Sequence, residues 1–151
     1  MTTPTPAVYI GLDVGKTVHH ACALSADGSR RYFDKPLPQD ESKLRDLFTS
    51  LQAHGPVLLV VDQPNTIGAL PVAVARDCSV AVAYLPGLAM RKAAALHPGT
   101  AKTDKRDAFI IAETARTAEQ GGFAQFTVMD HWFQMERVAP ATEPMLEAYT
   151  T

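Results

Sequence analysis

Four acids, Asp13, Asp62, Asp104 and Asp107, stand where a folded chain could put them to chemical use. Asp13 lies in Gly11-Leu12-Asp13-Val14-Gly15-Lys16-Thr17, where an apolar strand delivers one carboxylate to its exposed tip. Asp62 directly follows the apolar run Val57-Leu58-Leu59-Val60-Val61. Asp104 and Asp107 fall at the start of a predicted helix, and residues three apart share a helix face. If the first and fourth strands are neighbours, Asp13 and Asp62 lie side by side. Carboxylates gathered in this way repel by about 4 kcal/mol per pair at ~4 Å and an effective dielectric near ~20, so a cation must compensate. All-oxygen ligands suit Mg2+ or Mn2+, and two such ions about 3.5–4 Å apart activate a nucleophile and steady a leaving oxygen on phosphorus. Phosphodiester cleavage or transfer is the reaction class that follows. Each acid also has a structural explanation. Asp104 and Asp107 favour the positive end of a helix dipole, and Asp62 before Gln63-Pro64 starts a turn, so it is their joint placement that points to chemistry.

Other chemistry-bearing residues carry less. Gly15-Lys16-Thr17 invites a phosphate-loop reading, but Ile10 stands where that loop needs its first glycine, and the reading is rejected. Asp13-x-Gly15-x-Thr17 also resembles the first phosphate loop of actin-like ATPases, which sets nucleotide binding as the alternative function. Those enzymes need a second glycine-rich loop and a second lobe, for which 151 residues are too few. His19 and His20 are neighbours on a strand and point to opposite faces, which precludes a joint metal site there, and His54, His97 and His131 read as surface residues. Cys22 and Cys78 have no metal-ligand spacing and read as small buried apolar residues in a reducing compartment.

The elements that must position the acids are legible from periodicity. Val8 to Leu12, Thr17 to Leu24 and Arg30 to Asp34 read as a three-stranded meander, with Asp27-Gly28 as one turn. Asp40 caps a helix whose Leu44, Leu47, Phe48 and Leu51 share one face, and His54-Gly55-Pro56 ends it. Val57 to Val61 has no polar alternation and reads as a strand covered on both faces. A helix over Thr66 to Arg76 must accommodate Pro71 near its start. Val80 to Tyr84 is the next strand, and Pro86 to Leu96 and Asp104 to Ala118 are further helices. The order β-β-β-α-β-α-β-α-α implies a mixed sheet with helices on both faces, as in the ribonuclease-H-like and actin-like folds.

The hydrophobic fraction, 46% of 151 residues, supports one domain that buries about 68–70% of its unfolded surface. The expected organisation is a disordered leader over residues 1–7, a domain over 8–120 and a divergent tail over 121–151. No apolar run is long enough to span a membrane and residues 1–7 lack a signal-peptide pattern, so a cytoplasmic location is expected. A net charge of -2 argues against a general polyanion-binding surface. Nucleic-acid contacts must be local, and Arg91, Lys92, Lys102, Lys105 and Arg106 form the one suitable stretch.

The chain resembles the DEDD transposases of the insertion-sequence 110 group. The resemblance runs from about Val8 to Ala118 and is carried by Gly11-Leu12-Asp13-Val14-Gly15-Lys16, the strand into Asp62, Tyr84-Leu85-Pro86-Gly87 and above all Ala101-Lys102-Thr103-Asp104-Lys105-Arg106-Asp107-Ala108. It implies a domain similar to the RuvC Holliday-junction resolvases, with the acidic tetrad on Asp13, Asp62, Asp104 and Asp107. The second tetrad position is usually Glu, so Asp62 is one methylene shorter. DNA, a structured guide RNA, magnesium and a homo-oligomer are the implied partners. A second domain bearing a serine nucleophile has no counterpart after Gln120, and the chain is expected to be an incomplete copy that is inactive alone.

Overall fold

The computed structural model describes residues 5–62, 66–85 and 104–121, with side chains described from 67 onward in the second stretch and over 107–117 in the third. Among the described residues five strands form one sheet: β1 Val8–Asp13, β2 Val18–Ser25, β3 Arg31–Pro38, β4 Val57–Val61 and β5 Ala81–Tyr84. Their order is β3-β2-β1-β4-β5, with β1–β2 and β2–β3 antiparallel and β1–β4 and β4–β5 parallel. Three α-helices among the described residues flank the sheet: α1 Glu41–Leu51, α2 Ala69–Asp77 and α3 Asp104–Gly121. The helix expected over Pro86 to Leu96 lies outside the described residues, as does the tail from 122 to 151.

Side-chain alternation along the strands divides the interior into two layers. On one face Val8, Ile10, Leu12, Ala21, Ala23, Leu59, Val61 and Val82 pack with α1 and α2. On the other, Tyr9, Leu58, Val60 and Ala83 meet Ile111 and Ala115 of α3, while Cys22 and Leu24 meet Ala108 and Ala112. Every residue of β4 is buried, as a strand lying between two helical layers requires.

Among the element boundaries that differ from the periodicity reading, two involve proline. Strand β3 runs on past Asp34 to Pro38. Pro36 and Pro38 stop neither the strand nor its pairing, because β3 is an edge strand and a missing N–H on the free side breaks no ladder bond. Thr66 to Gly68 form a 3₁₀ turn and α2 starts at Ala69, which places Pro71 in the first helical turn, where amide donors have no intrahelical acceptor. Asp40 caps α1 as expected, its carboxylate accepting from Lys43 N–H at 3.0 Å. Within the expected leader, residues 1–4 lie outside the described residues, whereas Pro6 is buried and Ala7 N–H donates to Pro56 O at 2.7 Å.

Candidate functional site

Parallel pairing of β1 with β4 matches Leu12 to Val61, so Asp13 and Asp62 occupy the next positions of two adjacent strands at the same end of the sheet. Alternation assigns both to the α3 face: Asp13 follows Tyr9 and Gly11, and Asp62 follows Leu58 and Val60. Asp13 is half-buried, and Oδ1 of Asp62 is fully buried.

Helix α3 crosses this face against the direction of β1. A Cβ on Gly11 would lie 2.2 Å from Ala108 O and 2.5 Å from Ala112 N, so glycine is what lets the helix backbone sit on the strand. The C-terminal half of α3 lies at the beginning of β1. Ile111 and Ala115 cluster with Tyr9, and Arg116 approaches Gly28 in the β2–β3 turn, next to the Val8–Ser25 pair. Its N-terminal turn therefore points toward Asp13. From Gly11 to Asp13 is about 6.6 Å along a strand, and the four residues back from Ala108 to Asp104 span about 6 Å along the helix, so the backbone of Asp104 comes level with Asp13. Asp107 continues the Ile111–Ala115 stripe that faces β1 and β4, and it is half-buried. Among the described residues no three His, Cys, Asp or Glu side chains are close enough to hold a metal ion, and the Asp104 side chain is not among them. What is brought together is the Asp13–Asp62 pair, with the α3 start directed at it.

The basic stretch lies outside the described side chains. Arg91, Lys92 and Lys102 fall between 86 and 103, and Lys105 and Arg106 are placed only as backbone in the first turn of α3.

The two histidines separate as expected, but neither is a passive surface group. On the α3 face His20, which pairs in register with Asp13, binds Asp34 Oδ1 at 2.7 Å, and Asp34 also accepts from Arg31 at 3.0 Å. Arg31 in turn lies over the Phe109 ring, 4.8 Å from its centroid. On the opposite face His19 is 2% exposed. Its Nδ1 accepts from Gly15 N–H at 3.0 Å, and its Nε2 bonds to Gln39 Oε1. Because Nδ1 accepts a proton-bearing amide, the ring is neutral with its proton on Nε2, donated to Gln39. Burial pushes the His19 pKa below its ordinary value, and the Gln39 bond opposes that shift in part. Sequence reasoning missed this residue. Its only signal was a histidine in an otherwise apolar alternation.

Gly15 also bears on the nucleotide-binding alternative. A Cβ there would sit 2.0 Å from Val18 O, so the glycine serves a tight β1–β2 turn, and its N–H is already committed to His19 rather than open to a phosphate.

A family model described as a transposase, the DEDD type of the IS110 group, matches residues 10–139. The chain belongs to this transposase family. The uncharacterized 43.6 kDa protein of insertion element IS110 from Streptomyces coelicolor is 55% identical over 116 residues, which are 76% of this chain and 28% of that protein. The 44.8 kDa protein of insertion element IS116 from Streptomyces clavuligerus is 30% identical over 116 residues, 77% of this chain and 29% of the relative. The transposase chain thus spans less than a third of the length of these relatives. Among solved structures, T. thermophilus RuvC in complex with a Holliday junction substrate superposes with a TM-score of 0.54 at 15% identity, covering 76% of this chain and 96% of that one. A second Thermus thermophilus RuvC structure gives 0.52 at 17%. At such identities the likeness carries the fold, which is RuvC-like and ribonuclease-H-like, with the mixed sheet that the element order implied. The actin-like alternative finds no support in these relationships. Among the described residues no helix is long and apolar enough to cross a membrane.

Proposed function

We propose that this transposase chain carries a divalent-metal site for phosphodiester cleavage or transfer during DNA transposition, with Asp13, Asp62, Asp104 and Asp107 as its ligands. The observation that carries the reading is the Asp13–Asp62 pair on one face of two adjacent parallel strands, with the first turn of α3 aimed at it. The donor set fits a hard cation: all four side chains offer oxygen, and magnesium or manganese is the ion such a set prefers. When bound, the ion supplies Lewis acidity toward a phosphodiester. The protein's own part is to hold the acids at a fixed spacing, with the Asp62 oxygen already withdrawn from water. Asp107 and Asp104 join from a helix that Gly11 seats directly on the strand.

DNA at transposon ends and target sites is the substrate on this reading, in keeping with a RuvC neighbour solved on a Holliday junction. Arg91, Lys92, Lys102, Lys105 and Arg106 would take its phosphates. A structured guide RNA and a homo-oligomer are the further partners that the family resemblance implies.

Calorimetric titration with Mn2+ tests the site. Wild type is expected to bind and Asp13→Asn to lose binding. Equal binding by both would remove Asp13 from the site and the reading with it.

A further inference from the structure

The loops that follow the two acids are joined beneath the sheet by side chains that play no part in metal ligation. Gly15, two residues beyond Asp13, donates its N–H to His19 Nδ1 at 3.0 Å. His19 Nε2 bonds to Gln39 Oε1, and Gln39 Nε2 donates to Ile67 O at 3.0 Å in the 3₁₀ turn that comes after Asp62. Gln39 is anchored to the first loop a second time, its own N–H donating to Thr17 O at 3.0 Å. The chain of bonds thus runs from the β1–β2 turn through the β3–α1 junction to the segment after β4. His19 and Gln39 lie outside the proposed ligand set, and His19 belongs to the face opposite the acids.

Such an arrangement has a direct use. Asp13 and Asp62 terminate strands, so beyond Leu12 and Val61 no ladder bond in the β1–β4 pairing fixes their separation. Two carboxylates held at neighbouring strand ends repel when no cation lies between them. A link between those loops resists that repulsion. It spans the network with one donor and one acceptor at each step: a neutral imidazole accepts at Nδ1 and donates at Nε2, and a primary amide accepts at Oε1 and donates at Nε2. No aliphatic side chain can pass a hydrogen bond onward in this way.

We propose that His19 and Gln39 are positioning residues, a clamp that sets the Asp13–Asp62 spacing before metal arrives. The inference rests on the metal reading above. Residues that orient ligands without touching the ion typically change metal affinity about 10- to 100-fold, and a loss in that range is expected for Gln39→Leu. Gln39→Glu keeps the acceptor for His19 but removes the donor to Ile67, and it should fall between Gln39→Leu and wild type. Val74→Ala, a truncation of a fully buried side chain of α2 in the core layer on the sheet face opposite the acids, serves as the stability control and should bind Mn2+ as wild type does even where it unfolds earlier. All variants are titrated with Mn2+ at a temperature where each is fully folded. Amide hydrogen exchange on the same samples should show the Gly15 amide losing protection in Gln39→Leu and not in Val74→Ala. Wild-type affinity in Gln39→Leu, or an equal loss in Val74→Ala, would overturn the clamp. Absence of Mn2+ binding in wild type would instead bring down the metal reading, and the clamp's role with it.

Discussion

At the scale of single residues, the chain sets Asp13 and Asp62 at neighbouring strand ends and buries a histidine, and both choices have thermodynamic consequences. Asp13 and Asp62 share a face at the ends of neighbouring strands, and on the metal-site reading proposed above two carboxylates held there repel when no cation lies between them. Asp13→Asn is therefore expected to raise the melting temperature in metal-free buffer by a few degrees, since relief of about 1 kcal/mol corresponds to about 2–4 °C for a protein of this size. A marked fall would assign Asp13 a structural role. His19 gives the molecule a pH dependence of definite sign. Its pKa is lowered from 6.5 by burial, so as pH falls the unfolded chain takes up the proton before the folded chain does. Stability is complete above the unfolded value and declines as pH drops from about 6.5 toward the lower folded value. Urea unfolding at pH 7.5 and pH 5.5 should show this loss. The loss should shrink in His19→Gln, a comparison that isolates His19 from the other histidines.

At the scale of elements, the docking of α3 on β1 decides whether two of the four acids reach the other two. Gly11 is the contact point, with Ala108 and Ala112 as its partners, and small residues on both sides bring the helix backbone against the strand. Gly11→Val would force these apart. Overpacking of this kind costs about 1–3 kcal/mol, and here the nearest atoms are backbone, which cannot rotate away. Thermal unfolding should reveal the loss. If α3 delivers ligands, Mn2+ affinity should fall further in Gly11→Val than in a core variant of equal stability. Affinity that tracks stability alone would separate α3 from the site.

Over the whole molecule the net charge is -2, so any attraction to nucleic acid must come from one region of the surface. If the stretch containing Lys102, Lys105 and Arg106 takes phosphates, binding to branched DNA should weaken with added salt. Replacing these residues should also reduce the slope of log K against log salt by about one for each contact removed. Anisotropy titrations across a salt series measure this directly. A slope unchanged by the triple substitution would place the DNA elsewhere.

How much could be read without coordinates depended on the range of the interactions concerned. The element order, the two helical layers and the apolar faces of α1 and β4 follow from alternation and helical periodicity, because the burial that drives folding writes itself into local pattern. The four acids stood out as candidates for a related reason: each lies at the boundary of a predicted element, where the apolar pattern gives way to a carboxylate. The end of β3 was not legible. Pro36 and Pro38 are breakers in an interior strand and harmless at an edge, and edge position is a property of the assembled sheet. The roles of His19 and Gln39 were hidden for the same reason. Twenty residues separate them, and a further 28 separate Gln39 from Ile67, so no local pattern records their bonds. The sequence by itself determined that Asp13 and Asp62 stand at the ends of apolar strands and that Asp104 and Asp107 open a helix, which made them candidate ligands. Only the tertiary structure decided that those strands lie side by side in matching register, that Gly11 seats α3 against them, and that a hydrogen-bonded chain joins the loops beyond, because contacts between distant segments exist only once the chain has closed on itself.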